Sequence, residues 1–287
     1  MARWNRFGRI LALTAVAASG TGAATVLPGV LAGALLHPTR RTVDRAAPDG
    51  CSDATFEGAR VRLHGWRCAA QMSRRGTLVY LHGIGDNRTS AAGMAAVFPA
   101  KGFDLIAYDS RAHGDSEGTA CTYGYYERLD LQRIVAGSGS QPVVLVGVSL
   151  GGAVALQTAA IEPRISGVIA VDVFSSLRSI ALERAPFIVN SWMADRAFAR
   201  AERDARFEVE GVDIVAAARR ITIPVLLIHG EEDRETSPAN SLRVLAALAG
   251  PKRLRLVSGA GHSASLAAPD VWHEIEDWID AAVSLRP

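Results

Sequence analysis

Ser149 stands between two glycines in GVSLG (147–151), and Asp233 and His262 follow it at intervals of 84 and 29 residues. A serine hydroxyl is a poor nucleophile until a base takes its proton, and an imidazole acts as that base when a carboxylate orients it. Those three residue types together can move an acyl group from a carbonyl carbon to water. The flanking glycines fit the same chemistry. A serine on a tight strand-to-helix turn brings backbone against backbone, so a side chain at either flank would collide, which is the steric content of G-x-S-x-G. The turn also leaves the serine at a helix N-terminus, where free N–H groups favour a developing negative charge.

The surrounding sequence supplies elements to hold such a turn. Pro142–Val146 is short, apolar and valine-rich, as a strand covered on both faces should be. The residues from Leu150 to Ala160 are helix-compatible and contain no proline. Further strands are expected in GTLVYLHG (76–83), DLIAYDSRAHGDSEG (104–118), ISGVIAVDVF (165–174), IPVLLIHGEED (223–233) and KRLRLVSGAGH (252–262). TFEGARVRLHGW reads as two short strands joined by a turn at Glu57–Gly58, and helices are expected near Tyr125–Ala136, Pro238–Ala249 and Asp270–Ala282. Strands alternating with helices predict an α/β fold: a mainly parallel sheet with helices on both faces. Ligands gather beyond the C-terminal strand ends of such sheets. Asp233 follows one strand in HGEED, and His262 closes the last in a glycine-rich GAGH loop that can swing an imidazole over the sheet end. Ser175–Arg220 breaks the alternation, being rich in Ala, Arg and Glu with no strand pattern, and is expected to form a small helical cap inserted between two strands.

Taken in order, HGIGDN (82–87), YDSRAHGDSEG (108–118), GVSLG, IPVLLIHGEED and GAGH resemble the α/β-hydrolase superfamily over about residues 55–282. With its leader the chain is similar to bacterial membrane-anchored serine hydrolases related to monoacylglycerol lipases and serine aminopeptidases. The resemblance implies Ser149 as nucleophile, Asp233 as acid, His262 as base, and the N–H groups of Leu150 and Ile84 as oxyanion donors. It implies a small-molecule ester substrate, with an amide or peptide as the alternative and a non-catalytic binding scaffold as a third reading. One position departs from the family loop, which often reads Arg-Gly-His-Gly: Ala112 replaces its first glycine. Asp172 is the chief rival for the acid, since some hydrolases take it from that strand. Glu231, Glu232 and Glu235 read as solvated. Among the other histidines, His82 and His229 precede glycine at strand ends, where an imidazole supports a loop, His113 lies in a polar loop, His64 and His273 read as structural, and His37 adjoins the leader.

The bulk numbers close off other classes. A net charge of +2 over 287 residues offers no basic face for nucleic acid. No C-x-x-C pair or His-x-x-x-His spacing suggests a metal, and no phosphate-binding glycine fingerprint suggests a cofactor. The 27 residues from Ile10 to Leu36 carry no charge and follow Arg3, Arg6 and Arg9. A membrane span needs about 20 apolar residues, so residues 10–36 are expected to form a single-pass signal anchor with the catalytic domain outside. A cleaved signal peptide with Ile10–Ala18 as its apolar core, or a leader on a cytosolic enzyme, are the alternatives. This divides the chain into an N-terminal segment and linker (1–45) and a catalytic domain (46–287). Three cysteines permit at most one internal disulfide. Cys51–Cys68, flanking the hairpin, is the expected pair, against three unpaired buried thiols.

Overall fold

The computed structural model describes residues 20–139 and 141–284. Its centre is an eight-stranded sheet of β1 (Cys51–Glu57), β2 (Arg62–Cys68), β3 (Gly76–Leu81), β4 (Phe103–Tyr108), β5 (Val143–Val148), β6 (Ile165–Val171), β7 (Val225–Gly230) and β8 (Lys252–Val257), in the order β1-β2-β4-β3-β5-β6-β7-β8. β1 and β2 pair antiparallel to each other, and β2 antiparallel to β4. All later pairings are parallel. Strands β3, β5, β6 and β7 are buried at every residue, which is why their sequences run continuously apolar instead of alternating. The edge strand β8 carries Lys252, Arg253 and Arg255, charges that discourage pairing with another chain.

β3, β6, β7 and β8 end two to five residues earlier than the stretches read from the sequence, whereas β5 runs two residues past Val146. Asp172 directly follows β6 with φ 51, and Gly259 follows β8 with φ 73. Neither conformation continues a strand, so the chain turns off the sheet there. Those turns lift the residues of interest above its C-terminal rim.

Helices cover both faces. They are α1 (Gly20–Leu36), α2 (Ala92–Val97), α3 (Glu127–Ala136), α4 (Leu150–Ala159), α5 (Leu177–Glu183), α6 (Ser191–Ala205), α7 (Ile214–Ala218), α8 (Ala239–Ala247) and α9 (Pro269–Ser284). α5, α6 and α7 fill the stretch between β6 and β7, where the sequence offered no strand. At the other end, β1 and β2 are joined by a turn in which Gly58 donates to the Val61 carbonyl at 2.8 Å. Cys51 and Cys68 face each other in register and form a disulfide, while Cys121 is free and buried.

The expected N-terminal anchor finds no support among the described residues. Among the described residues no helix is long and apolar enough to cross a membrane. Residues 10–19 of the expected span lie outside the described residues. The rest belongs to α1, which is 17 residues long, contains Pro28, and packs along α6. Ala32 and Leu36 are each 1% exposed and join the main apolar core. An apolar, charge-free run satisfies a lipid tail and a protein interior equally, because hydrophobic burial has no directional preference. Here this part of the run is buried against protein.

Candidate active site

Ser149 caps the N-terminus of α4 and directly follows β5, with φ 52 and ψ −110. This is a conformation that a non-glycine residue holds only when its surroundings fix it. They do so here. The Ser149 N–H donates to the Val171 carbonyl at 2.7 Å, and its own carbonyl accepts from Ala153 at 3.0 Å. A Cβ on Gly147 would lie 2.4 Å from the Gly151 backbone, and a Cβ on Gly151 would lie 2.1 Å from the Leu81 carbonyl oxygen. Both positions therefore exclude any side chain, as the motif requires.

The three side chains singled out by type and spacing meet at this turn. His262 Nδ1 lies 2.6 Å from Asp233 Oδ2, and His262 Nε2 lies 3.1 Å from Ser149 Oγ. An ionised carboxylate only accepts hydrogen bonds, so Nδ1 carries the proton and Nε2 is left to accept from the serine hydroxyl. Asp233 is held in its ionised form. Burial opposes the charge, but hydrogen bonds from His229, His262 and the Thr236 N–H outweigh it and keep the carboxyl well below its usual range. Its Oδ1 accepts from the N–H groups of Glu235 at 2.8 Å and Thr236 at 2.9 Å.

His229 has a larger part than its sequence position indicated. Its Nε2 donates to the Thr236 carbonyl at 2.9 Å and lies 3.3 Å from Asp233 Oδ2, while Nδ1 lies 2.6 Å from Ser241 Oγ. Burial lowers its pKa, but the Asp233 hydrogen bond, the Thr236 carbonyl and the Asp172 charge together raise it above the ordinary histidine value. A histidine one strand-end position before glycine gives no sequence signal for contact with a carboxylate four residues on. Only the turn after β7 brings them together.

The rival acid sits close by. Asp172, Asp233 and His262 present polar atoms within 4.8 Å of one another, a grouping that could in principle ligate a cation. Asp172, however, spends both oxygens on backbone: Oδ1 accepts from Gly230 N–H at 2.9 Å and Oδ2 from Ser263 N–H at 2.6 Å. It thereby fixes the end of β7 to the loop carrying His262. With His262 Nδ1 already donating to Asp233, the cluster is a closed hydrogen-bond network.

Ser149, Leu150 and Ile84 line one cavity of about 270 Å³, otherwise walled almost entirely by apolar side chains that include Phe174, Leu177 and Phe198. This is close to the small end of ordinary small-molecule sites, about 300–1,000 Å³. Leu150 opens α4, so its N–H lacks an intrahelical partner. Ile84 follows Gly83, where a Cβ would come within 3.8 Å of the Ser149 Cβ. The backbone after β3 thus passes directly beside the serine.

Comparison with known proteins agrees with this architecture. The family model for the alpha/beta hydrolase fold matches residues 76–215. The chain has the α/β-hydrolase fold. YfhR, an uncharacterized protein of Escherichia coli, is 26% identical over 211 residues, which span 70% of this chain and 69% of YfhR. Human monoglyceride lipase is 25% identical over 243 residues, covering 69% of this chain and 80% of the lipase. The solved structure of an esterase from Pyrococcus furiosus aligns with a TM-score of 0.69 at 20% identity, over 86% of this chain and 98% of the esterase.

Within this fold the loop after β4 braces the site from behind. His82 is fully buried, its Nδ1 donating to the Gly83 carbonyl at 2.7 Å and its Nε2 accepting from Ser110 N–H at 3.0 Å. Its ring stands edge-on to that of His113, with centroids 5.1 Å apart. Burial and then the neighbouring His82 push the His113 pKa down to about 4, so the pair stays neutral. Asp109 accepts from Arg88 and from the Asp115 N–H, and Arg111 forms a buried ion pair with Asp130 at 2.7 Å. Ala112 occupies the left-handed region with φ 61, where an L side chain costs about 1–2 kcal/mol. This is the position where the family often has glycine. Ala112→Gly should therefore raise stability by roughly 0.5–1 kcal/mol, less than the full relief because glycine loses more entropy on folding. Urea denaturation of the two proteins measures this, and a destabilised variant would contradict the strain argument.

Proposed function

We propose that this protein is a serine hydrolase that cleaves carboxylic esters carrying an apolar acyl group, through an acyl-enzyme intermediate. His262 Nε2 takes the Ser149 proton as Oγ attacks the carbonyl carbon. The oxyanion is received by the N–H groups of Leu150 and Ile84, and Asp233 holds the imidazolium that forms. Collapse breaks the ester bond, and the leaving alcohol takes the proton from His262. Water, deprotonated by the same imidazole, then attacks the acyl-enzyme and releases the acid and Ser149.

The observation that carries this reading is the Ser149 hydroxyl at 3.1 Å from His262 Nε2, opening onto an apolar cavity. The apolar lining favours an acyl chain over a peptide, whose backbone would bring polar groups that need partners. The relationship to human monoglyceride lipase is in keeping with an acylated substrate. The Cys51–Cys68 disulfide supports residence of the domain in an oxidising compartment, outside the cytoplasm.

A fluorophosphonate probe tests the assignment directly. We expect stoichiometric labelling of the folded protein, mapped by mass spectrometry to Ser149, together with hydrolysis of p-nitrophenyl acyl esters in preference to aminoacyl amides. An unlabelled, well-folded sample would favour a binding scaffold, and preferential amide cleavage would favour a peptidase.

A further inference from the structure

We infer that α1, the segment whose sequence suggested a membrane anchor, forms one wall of the acyl-binding pocket and helps set the chain length the enzyme accepts. The inference rests on the hydrolase reading given above. Three residues of α1, Leu31, Ala34 and Leu35, line the cavity that Ser149 opens into. They are spaced i, i+3 and i+4, which places them on a single face of the helix. Ala32 and Leu36, on the adjoining face, are buried in the main core. The helix is thus wedged between that core and the pocket, with α6 packed along it.

Several polar contacts hold α1 in this place. At its C-terminal end the Cys121 N–H donates to the Leu36 carbonyl at 2.8 Å, and the Tyr123 hydroxyl to the Leu35 carbonyl at 3.0 Å. Just beyond, His37 Nδ1 donates to the Thr119 carbonyl at 2.7 Å, and Arg40 to the carbonyls of Ser116 and Gly118, both at 2.9 Å. Tyr123 itself lines the cavity. The connection from α1 is therefore stitched to the loop that follows β4, the same loop that braces the site. The charge-free character of this part of the leader has a physical reason here. A helix that touches core on one face and an acyl chain on the next has no place for a charge. Ala34 is the small member of the set and remains exposed to the open part of the cavity, so its size limits how far an acyl chain extends along the helix.

Two variants of the full chain test this. In Ala34→Trp, the indole occupies pocket volume, and the ratio of kcat/KM for p-nitrophenyl dodecanoate over p-nitrophenyl acetate should fall at least about tenfold, since one methylene contact alone can be worth that factor. In Ala34→Cys, the new thiol is the reactive one, because Cys51 and Cys68 are paired and Cys121 is buried. Its alkylation by a maleimide should slow at least severalfold after Ser149 reacts with a long-chain alkyl fluorophosphonate, but not after reaction with a methyl one. An unchanged ester ratio, with equal alkylation rates after both probes, overturns the wall while leaving the nucleophile intact. Absence of fluorophosphonate labelling at Ser149 in the parent protein overturns the hydrolase reading on which the wall depends.

Discussion

Ser149→Ala is expected to lower kcat for p-nitrophenyl acyl esters by about 10⁶-fold, the size of loss found when a triad serine is removed elsewhere. The reason is the absence of an alternative nucleophile in contact with the base: His262 Nε2 has its hydrogen bond to Ser149 Oγ. The fold should survive. Among the described residues the hydroxyl makes no other hydrogen bond, while the turn is fixed by the Ser149 N–H to Val171, by the Gly147 and Gly151 contacts, and by α4 itself. Alanine keeps the same backbone and fits the same space. Thermal melting within a few degrees of the parent, together with a residual turnover about 10³–10⁴-fold above the uncatalysed rate, supplied by the oxyanion donors and binding alone, is the expected pair of results. Retained turnover in a folded sample would remove Ser149 from the mechanism.

Asp233→Asn should reduce kcat by about 10⁴-fold, because an amide in place of the carboxylate permits the wrong imidazole tautomer and cannot stabilise the imidazolium. The companion variant Asp172→Asn separates two carboxylates that the sequence leaves in competition. Asp172 touches the Gly230 and Ser263 N–H groups and has no hydrogen bond to the imidazole, so its loss should act through stability and loop position and cost far less turnover. The measurement is the ratio of the two effects on kcat at matched fractions folded. A larger loss in Asp172→Asn than in Asp233→Asn would reverse the assignment of the acid. The pH dependence of stability provides a second readout for Asp233. Its folded-state pKa lies well below the ordinary carboxylate value, so it stabilises the fold above about pH 4, and that contribution fades as the pH falls further. The asparagine variant should lose that part of the acid dependence.

Much of this protein can be read from residue types and spacing because the governing constraints are local. The glycines at 147 and 151 answer to contacts within a single turn and the strand beside it. Continuous apolar runs such as VVLVGV report burial on both faces, and alternation with helical stretches leads to a parallel sheet. His262 and Asp233 could be singled out because each sits just past an apolar run, where a parallel sheet collects its ligand groups.

What the sequence left open concerns surroundings that are distant along the chain. Whether Asp172 or Asp233 meets His262 depends on which way each strand-end turn aims its carboxylate, and Asp172 at φ 51 aims its own at the Gly230 and Ser263 backbone. The contact of His229 with Asp233 arises only when the chain after β7 folds back on itself. The pairing of Cys51 with Cys68 likewise follows from the register of β1 on β2. For α1, a charge-free apolar run specifies removal from water without naming what replaces the water. Only the tertiary structure, by docking that helix between the core and the cavity, decides that its neighbours are Tyr123, α6 and the space in front of Ser149.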